Sequence, residues 1–153
     1  GLNAVVVLSL DGVLVDTIKT ADGREIVAPT QVAVNSQGNI YVLHQGPKKI
    51  NVYNADGDFL FRFGDLVINV GQLVRPKGIA VDSDDNVYIT DAAFNNFQIF
   101  NSKGQILMYV GNSGVDVGEF KLPSLVYIDS LDRIFIAEYA AHRVQIFKYL
   151  GQE

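Results

Sequence analysis

The amino-acid sequence predicts an all-β fold built from four-stranded antiparallel units, and three observations support this prediction. The chain repeats itself: Pro29, Pro76 and Pro123 follow one another at intervals of 47 residues, and the segments that they open align without a gap. Each repeat contains short runs of Val, Ile, Tyr and Phe separated by Asp, Asn, Ser and Gly, which is typical of strands and tight turns. No segment shows a sustained helical period. A four-stranded repeat of this length indicates the blade of a β-propeller.

The central repeat, residues 76–111, predicts strands over residues 78–82, 87–91, 97–101 and 105–110. Residues 29–64 follow the same pattern and form another full blade. Residues 123–153 supply a blade that lacks its last strand, and residues 4–18 supply the third and fourth strands of a half blade. The whole chain, 1–153, is therefore predicted to be one propeller segment of thirteen strands.

The connections between blades are predicted to be ordered. Residues 64–75 and 111–122 have equal length, and each carries a glycine at the same position. Leu73 and Phe120 are expected to pack between blades, so that these segments resemble compact Ω-loops. Residues 19–28 are predicted to be the loop from the half blade to the first full blade.

An arc of this length leaves open faces. Propellers close with about four to eight blades, whereas thirteen strands make slightly more than three. We therefore expect the arc to be part of a six-bladed ring or to be completed by dimerisation, because an unpaired edge strand invites association. The chain begins without Met and is interpreted as a mature or excised segment.

Composition excludes several classes of function. The 153 residues contain no cysteine, which excludes disulfides, thiol catalysis and Cys-ligated zinc. A net charge of −5 argues against a nucleic-acid partner, because such proteins usually carry a basic excess. No apolar run is long enough to cross a membrane. No nucleophile-elbow, P-loop or zinc-protease motif is present, so neither a catalytic residue nor a cofactor is predicted.

Three equivalent positions end the second strands of successive blades and hold His44, Asp91 and Glu138. Converging from neighbouring blades, these side chains could bind a divalent cation that activates water. Alternatively, each side chain caps its own turn or pairs locally, for example Glu138 with His142 or Arg143. The local interpretation is preferred, because polar residues that cap turns are common in loops.

Other polar groups are also assigned to structure. The pair His142-Arg143 could bind an anion, but its place in the repeat favours a structural hydrogen-bonding role. The carboxylates of Asp82, Asp84 and Asp85 have no EF-hand glutamate and fit turn chemistry. The scattered cations are interpreted as solvated; they are Lys19, Arg24, Lys48, Lys49 and Arg75.

The blade resembles the NHL-repeat family of β-propellers. The resemblance rests on P-x-G-I-A-V-D at 76–82, N-V-Y-I-T-D at 86–91 and A-H-R-V-Q-I-F at 141–147. It implies a propeller fold, and it favours a bacterial, extracytoplasmic location, either periplasmic or secreted. The resemblance does not select one function, since such repeats occur in sensor domains, in protein- or RNA-binding modules and in rings with lyase or lactone-directed activity. The first full blade departs from the pattern with Gly46-Pro47-Lys48-Lys49, and the second with Asn95-Asn96-Phe97.

The sequence thus predicts a non-catalytic recognition module that binds a protein or peptide through blade loops near the central channel, since loops on a rigid scaffold commonly carry function. The alternative is a segment of a metal-dependent enzyme of lyase or lactonase type, and an RNA-binding module is a third possibility. The residues predicted to bind the ligand are His44, Gln45, Lys48, Asp91, Asn95, Glu138, Tyr139 and His142.

Overall fold

The computed structural model describes residues 2–45, 48–65 and 71–149, and these residues form antiparallel sheets without any helix. The strands are β1 (Val5–Leu8), β2 (Leu14–Ile18), β3 (Thr20–Ala21), β4 (Arg24–Glu25), β5 (Pro29–Val34), β6 (Ile40–His44), β7 (Lys48–Tyr53), β8 (Phe59–Asp65), β9 (Pro76–Val81), β10 (Val87–Asp91), β11 (Asn96–Phe100), β12 (Ile106–Val110), β13 (Pro123–Ile128), β14 (Arg133–Glu138) and β15 (Arg143–Lys148). Within the described ranges, no helix has the length and hydrophobicity needed to cross a membrane.

The sheets are meanders in which each strand pairs with its neighbour in sequence. Strands β5 to β8 make the first full blade, β9 to β12 the second, and β13 to β15 a three-stranded third blade. The hairpin β1–β2 lies where the sequence places the half blade. The predicted all-β fold with four-stranded blades is confirmed. Strand β9 begins two residues earlier than predicted, at Pro76, because the first residue of a strand tolerates the missing N–H of proline.

The prediction for residues 19–28 was wrong, since this segment contains a second small hairpin, β3–β4. Asp22 and Gly23 both adopt left-handed backbone conformations, with φ of 54° and 70°. Positive φ at both central residues is the geometry of a type I′ turn, and Asp-Gly is a preferred sequence for it. Ala21 and Ile26 are buried beside Ile18, so the hairpin closes one side of the first full blade.

The described turns between first and second strands and between third and fourth strands of the three blades share one capping device. An Asn or Asp side chain opens the turn and accepts hydrogen bonds from the backbone N–H groups two and four residues later. For Asp82 the donors are Asp84 and Asn86, at 3.0 and 2.8 Å, so this acidic turn has the structural role that the sequence predicts. The residues that open these turns are Asn35, Asn54, Asp82, Asn101 and Asp129.

Apolar residues pack between successive blades in two clusters. One cluster joins the first full blade to the second, and the other joins the second to the third. Leu73 belongs to the first cluster and Phe120 to the second, and neither has any exposed surface. The two connecting segments are therefore anchored in the core, as predicted.

The first strands β5, β9 and β13 lie side by side and bring the ends of the blades close together. A Cβ atom on Gly78 would lie 2.8 Å from the backbone nitrogen of Val126 in the next blade. On the other side, the Gln31 side chain accepts a hydrogen bond from the Ile79 N–H at 3.1 Å. The candidate site lies beside these strands, where the connecting segments meet the ends of the second strands.

Candidate binding face

Asp91 and Glu138 fasten the incoming connecting segment to the end of the second strand. The Asp91 carboxylate accepts hydrogen bonds from the N–H groups of Val74 at 2.7 Å and Ala93 at 2.8 Å. Glu138 accepts one from the Lys121 N–H at 2.9 Å. Lys121 is the equivalent of Val74 in the next repeat, so both carboxylates perform the same structural task.

Glu138 also forms a buried ion pair. Its carboxylate accepts hydrogen bonds from Arg143 Nε at 2.6 Å and Gln145 Nε2 at 2.9 Å, and its side chain has no exposed surface. Burial by itself raises the pKa of Glu138, but these donors and the Lys121 N–H outweigh burial and lower it below its ordinary value. The pairing of Glu138 with Arg143 is one of the local interactions that the sequence predicts.

His44 occupies the same position in the first full blade but has a different environment. The side chain is buried, and burial is the main reason that the pKa of His44 falls below its ordinary value. The polar side chain of Asn51 opposes this effect, whereas the nearby cations of Lys49 and Arg62 add to it. Burial thus disfavours the charged form of His44 inside the blade.

The structure does not gather His44, Asp91 and Glu138 into a metal site. Among the described residues, no group of three or more His, Cys, Asp or Glu side chains is placed to hold a metal ion. The carboxylates of Asp91 and Glu138 instead bind N–H donors of their own blade and connecting segment.

Three predicted residues lie in the loops after the second strands of the second and third blades. Asn95 and His142 are equivalent and both adopt left-handed conformations, with φ of 52°. Asn95 accepts a hydrogen bond from the Leu122 N–H at 2.9 Å, and the Tyr139 N–H donates to the Leu122 carbonyl at 3.0 Å. Leu122 therefore links Asn95 and Tyr139, while His142 lies exposed in its own turn.

Gln45 and Lys48 belong to the corresponding loop of the first full blade. The Gln45 N–H donates to the carbonyl of Val27 at 3.1 Å, and its side chain is exposed. Lys48 begins β7, but its side chain lies outside the described part of the chain, as do Gly46 and Pro47.

A depression of about 260 Å³ opens between the second and third blades at this end of the strands. Tyr139, one of the predicted residues, borders it with 75% of its surface exposed. The remaining lining residues are Arg75, Lys77, Ala92, Leu122, Pro123 and Ser124. Sequence reasoning treated Arg75 as solvated and did not consider Lys77, although both flank Pro76, which opens a first strand.

A larger groove, of about 500 Å³, lies between the same two blades and is lined by Tyr88, Met108 and Tyr149 among others. One repeat earlier, the residues equivalent to Tyr88 and Tyr149 are Tyr41 and Ser102, and the Tyr41 hydroxyl donates to the Ser102 carbonyl at 3.3 Å. One repeat earlier, the position of this groove is thus occupied by the turn between β11 and β12. We therefore assign the groove to packing between blades and not to ligand binding.

Comparison with known proteins gives one family match. The NHL repeat matches residues 73–100, which run from the connecting segment through the first three strands of the second full blade. No curated protein matches the sequence significantly.

Solved structures resemble the chain in fold. Virginiamycin B lyase from Staphylococcus aureus, in a selenomethionine-substituted form, is 13% identical with a TM-score of 0.64, and the match covers 98% of this chain and 50% of the lyase. A streptogramin B lyase is 15% identical with a TM-score of 0.66, covering 97% and 48%. A chain of a nidogen/laminin complex is 23% identical with a TM-score of 0.63, covering 90% and 49%.

The chain thus spans about half the length of these structures. At such low identities, the likeness shows the fold and not the activity. The sheets, the repeat and these matches together lead to one conclusion: the chain has the fold of a β-propeller arc, and its second full blade matches the NHL repeat.

Proposed function

We propose that this chain is a non-catalytic recognition module that binds an acidic protein or peptide segment in the depression between the second and third blades. The observation that carries the proposal is the lining of this depression, where an exposed tyrosine lies beside apolar surface and two cations. The depression lies where the connecting segments meet the ends of the second strands, which is the face that the sequence singles out for binding.

Charge defines the class of ligand. Arg75 and Lys77 are both exposed, and no carboxylate is among the residues that line the depression. The chain as a whole carries a net charge of −5, so this positive spot stands out from its surroundings. Complementary charge speeds association and selects the partner, and we therefore expect Asp or Glu in the ligand.

The apolar part of the depression supplies contact area. Tyr139 can bury its ring against a ligand while its hydroxyl stays hydrated, and tyrosine is enriched among residues that dominate binding energy. Pro123 and Leu122 lie beside it as apolar wall. A short peptide that combines an acidic residue with an apolar one matches this surface.

The wall of the depression is held rigidly. Leu122 adopts a left-handed conformation with φ of 51°, which is costly for a residue with a bulky side chain. The hydrogen bonds from its N–H to Asn95 and from the Tyr139 N–H to its carbonyl hold it there. A preorganised wall lowers the entropic cost of binding.

The test is selection from a random heptapeptide phage library, followed by calorimetric titration of the enriched peptides. We expect acidic peptides whose affinity falls at least about tenfold in Lys77→Ala and in Tyr139→Ala, which corresponds to about 1.4 kcal/mol. Lys103→Ala, in the β11–β12 turn, and Tyr127→Ala, on an exposed face of the third blade, serve as matched controls that leave affinity unchanged.

The salt dependence of peptide affinity gives an independent readout of the charge contribution to binding. Added salt screens exposed charges, with a screening length of about 10 Å at 0.1 M. Enriched peptides that bind equally well to the Lys77→Ala and Tyr139→Ala variants would contradict the proposal. So would a library that yields no binders. Single-stranded RNA, titrated in parallel, is expected not to bind.

A segment of a metal-dependent lyase or lactonase is the second candidate, and the fold shared with virginiamycin B lyase favours it. On this reading, Asp91 and Glu138 would have to leave their N–H donors in order to ligate a metal. A rise in Tm with Mg²⁺, Mn²⁺ or Zn²⁺ that disappears in both Asp91→Asn and Glu138→Gln would favour the enzyme over the recognition module.

A further inference from the structure

Neighbouring blades are joined by a serine–aspartate contact that occurs twice within residues 2–45, 48–65 and 71–149. In the first-to-second strand turns, the Ser36 N–H donates to Asp85 Oδ1 at 2.8 Å, and its hydroxyl donates to Asp85 Oδ2 at 2.8 Å. One repeat later, Ser83 makes the same two bonds to Asp132, at 3.0 and 2.6 Å. We call this two-bond contact the Ser–Asp clasp.

The conformation of the aspartate makes the clasp possible. Asp85 and Asp132 adopt left-handed conformations with φ of 63° and 53°, which turn the carboxylate towards the preceding blade. Aspartate is one of the few residues that enter this region without large strain. The Ser83 hydroxyl and N–H also lower the pKa of Asp132, as expected for a carboxylate that accepts two hydrogen bonds.

The third blade presents only half of a clasp. Ser130 occupies the position of Ser36 and Ser83, and no acceptor contacts it among residues 2–45, 48–65 and 71–149. The same blade exposes an apolar face: Val144 and Ile146 are each 59% exposed, whereas their equivalents Ile50 and Val52 have no exposed surface. In the first full blade, those equivalent positions are covered by the next blade.

The first blade of a second copy does not supply the missing half. The position of Asp85 and Asp132 is occupied there by Gly38, which keeps the left-handed conformation at φ of 80° but has no carboxylate. In addition, the outer part of that blade is already covered by Ile18 and Ile26 of the N-terminal hairpins.

We propose that the exposed face of the third blade is an interaction surface for a further propeller blade, and that this partner carries a left-handed aspartate in its first turn that accepts both hydrogen bonds from Ser130. The Ser–Asp clasp thereby selects the blade that can pack next to the third blade. The third blade offers the serine of a clasp, whereas the first full blade has Gly38 in place of the aspartate.

The repeat length allows a direct test. Residues 102–148 are duplicated once after Lys148, which adds one 47-residue repeat in register. The duplication supplies a fourth strand to the third blade and places a copy of Asp132 against Ser130. Thermal unfolding is then measured for the natural and the extended chain, each with and without Ser130→Ala. Ser83→Ala is the matched control, since its clasp exists in both chains.

We expect Ser130→Ala to leave the Tm of the natural chain within about 1 °C and to lower that of the extended chain by about 2 to 4 °C, as Ser83→Ala does in both. Replacing the added aspartate by Gly, which keeps the left-handed conformation at the equivalent position 38, should also lower the Tm of the extended chain, and the two losses should not add. Equal effects of Ser130→Ala in both chains would overturn the proposal.

Amide hydrogen exchange of the natural chain tests the same idea without an extension, should the extended chain not fold. The Ser130 amide is expected to exchange at least about tenfold faster than those of Ser36 and Ser83, which are hydrogen-bonded. Equal protection of all three amides, with or without a dimeric mass by light scattering, would mean that another copy or another part of the chain already covers this face, and the proposal would fail.

Discussion

Replacing Glu138 by alanine tests the assignment of the second-strand carboxylates to structure. The substitution removes the acceptor of three donors, namely the Lys121 N–H, Arg143 Nε and Gln145 Nε2. Because the carboxylate has no exposed surface, water cannot readily replace it. Loss of one partner of a buried ion pair typically costs about 3 to 5 kcal/mol.

The cost is expected near the lower end of that range, at about 3 kcal/mol. Arg143 keeps hydrogen bonds to the carbonyls of Val115, Asp116 and Glu119, and 30% of its side chain is exposed. Its charge therefore retains hydrogen-bond acceptors and contact with solvent. Gln145 Nε2 likewise keeps its hydrogen bond to the Glu119 carbonyl at 2.8 Å. Most of the loss therefore comes from the Lys121 N–H and from the lost Coulomb attraction. Against a total stability of about 5 to 15 kcal/mol, such a loss is large.

The assay is urea unfolding of the natural chain, Glu138→Ala, Arg143→Ala and the double variant. We expect the double variant to lose less than the sum of the single losses, by at least about 1 kcal/mol, because the two side chains contact each other. The lowered pKa of Glu138 adds a pH signature: its contribution is present above the ordinary pKa and is lost as pH falls through the lowered one. Additive losses, or a Glu138→Ala cost below about 1 kcal/mol, would refute the structural assignment.

Three further predictions concern the blade core. Gly78→Ala should lower the free energy of unfolding, measured with urea, by about 1 to 3 kcal/mol, because its Cβ would lie 2.8 Å from the backbone nitrogen of Val126. An unchanged unfolding midpoint would mean that β9 and β13 can move apart without cost. His44 has a lowered pKa, so stability should decline as pH drops below about 6.5, and a His44→Gln variant should lack this component of the pH profile; an identical profile in the variant would exclude His44 as its source. Leu73→Ala should cost about 2 to 5 kcal/mol because Leu73 has no exposed surface, whereas Val74→Ala, 38% exposed, should cost less than about 1 kcal/mol; similar costs would argue against the inter-blade anchor.

The sequence by itself determined the repeat and therefore the fold. Side-chain alternation, turn residues and the interval of 47 residues are local properties, and they predicted the blades and the anchoring roles of Leu73 and Phe120. Local chemistry also predicted the acidic turn at Asp82 and the pairing of Glu138 with Arg143, because each involves partners only a few residues apart. The Asp22-Gly23 turn carried a hairpin signal too, which a loop prediction overlooked.

Only the tertiary structure decided which residues meet across blades. The depression combines Lys77, Leu122 and Tyr139 from separate strands and loops, and no spacing along the chain marks them as neighbours. The clasp between Ser83 and Asp132 likewise spans 49 residues. Such contacts depend on the stacking angle of the sheets, which is set by the whole core, whereas a sequence pattern records only what each strand does with its nearest neighbours.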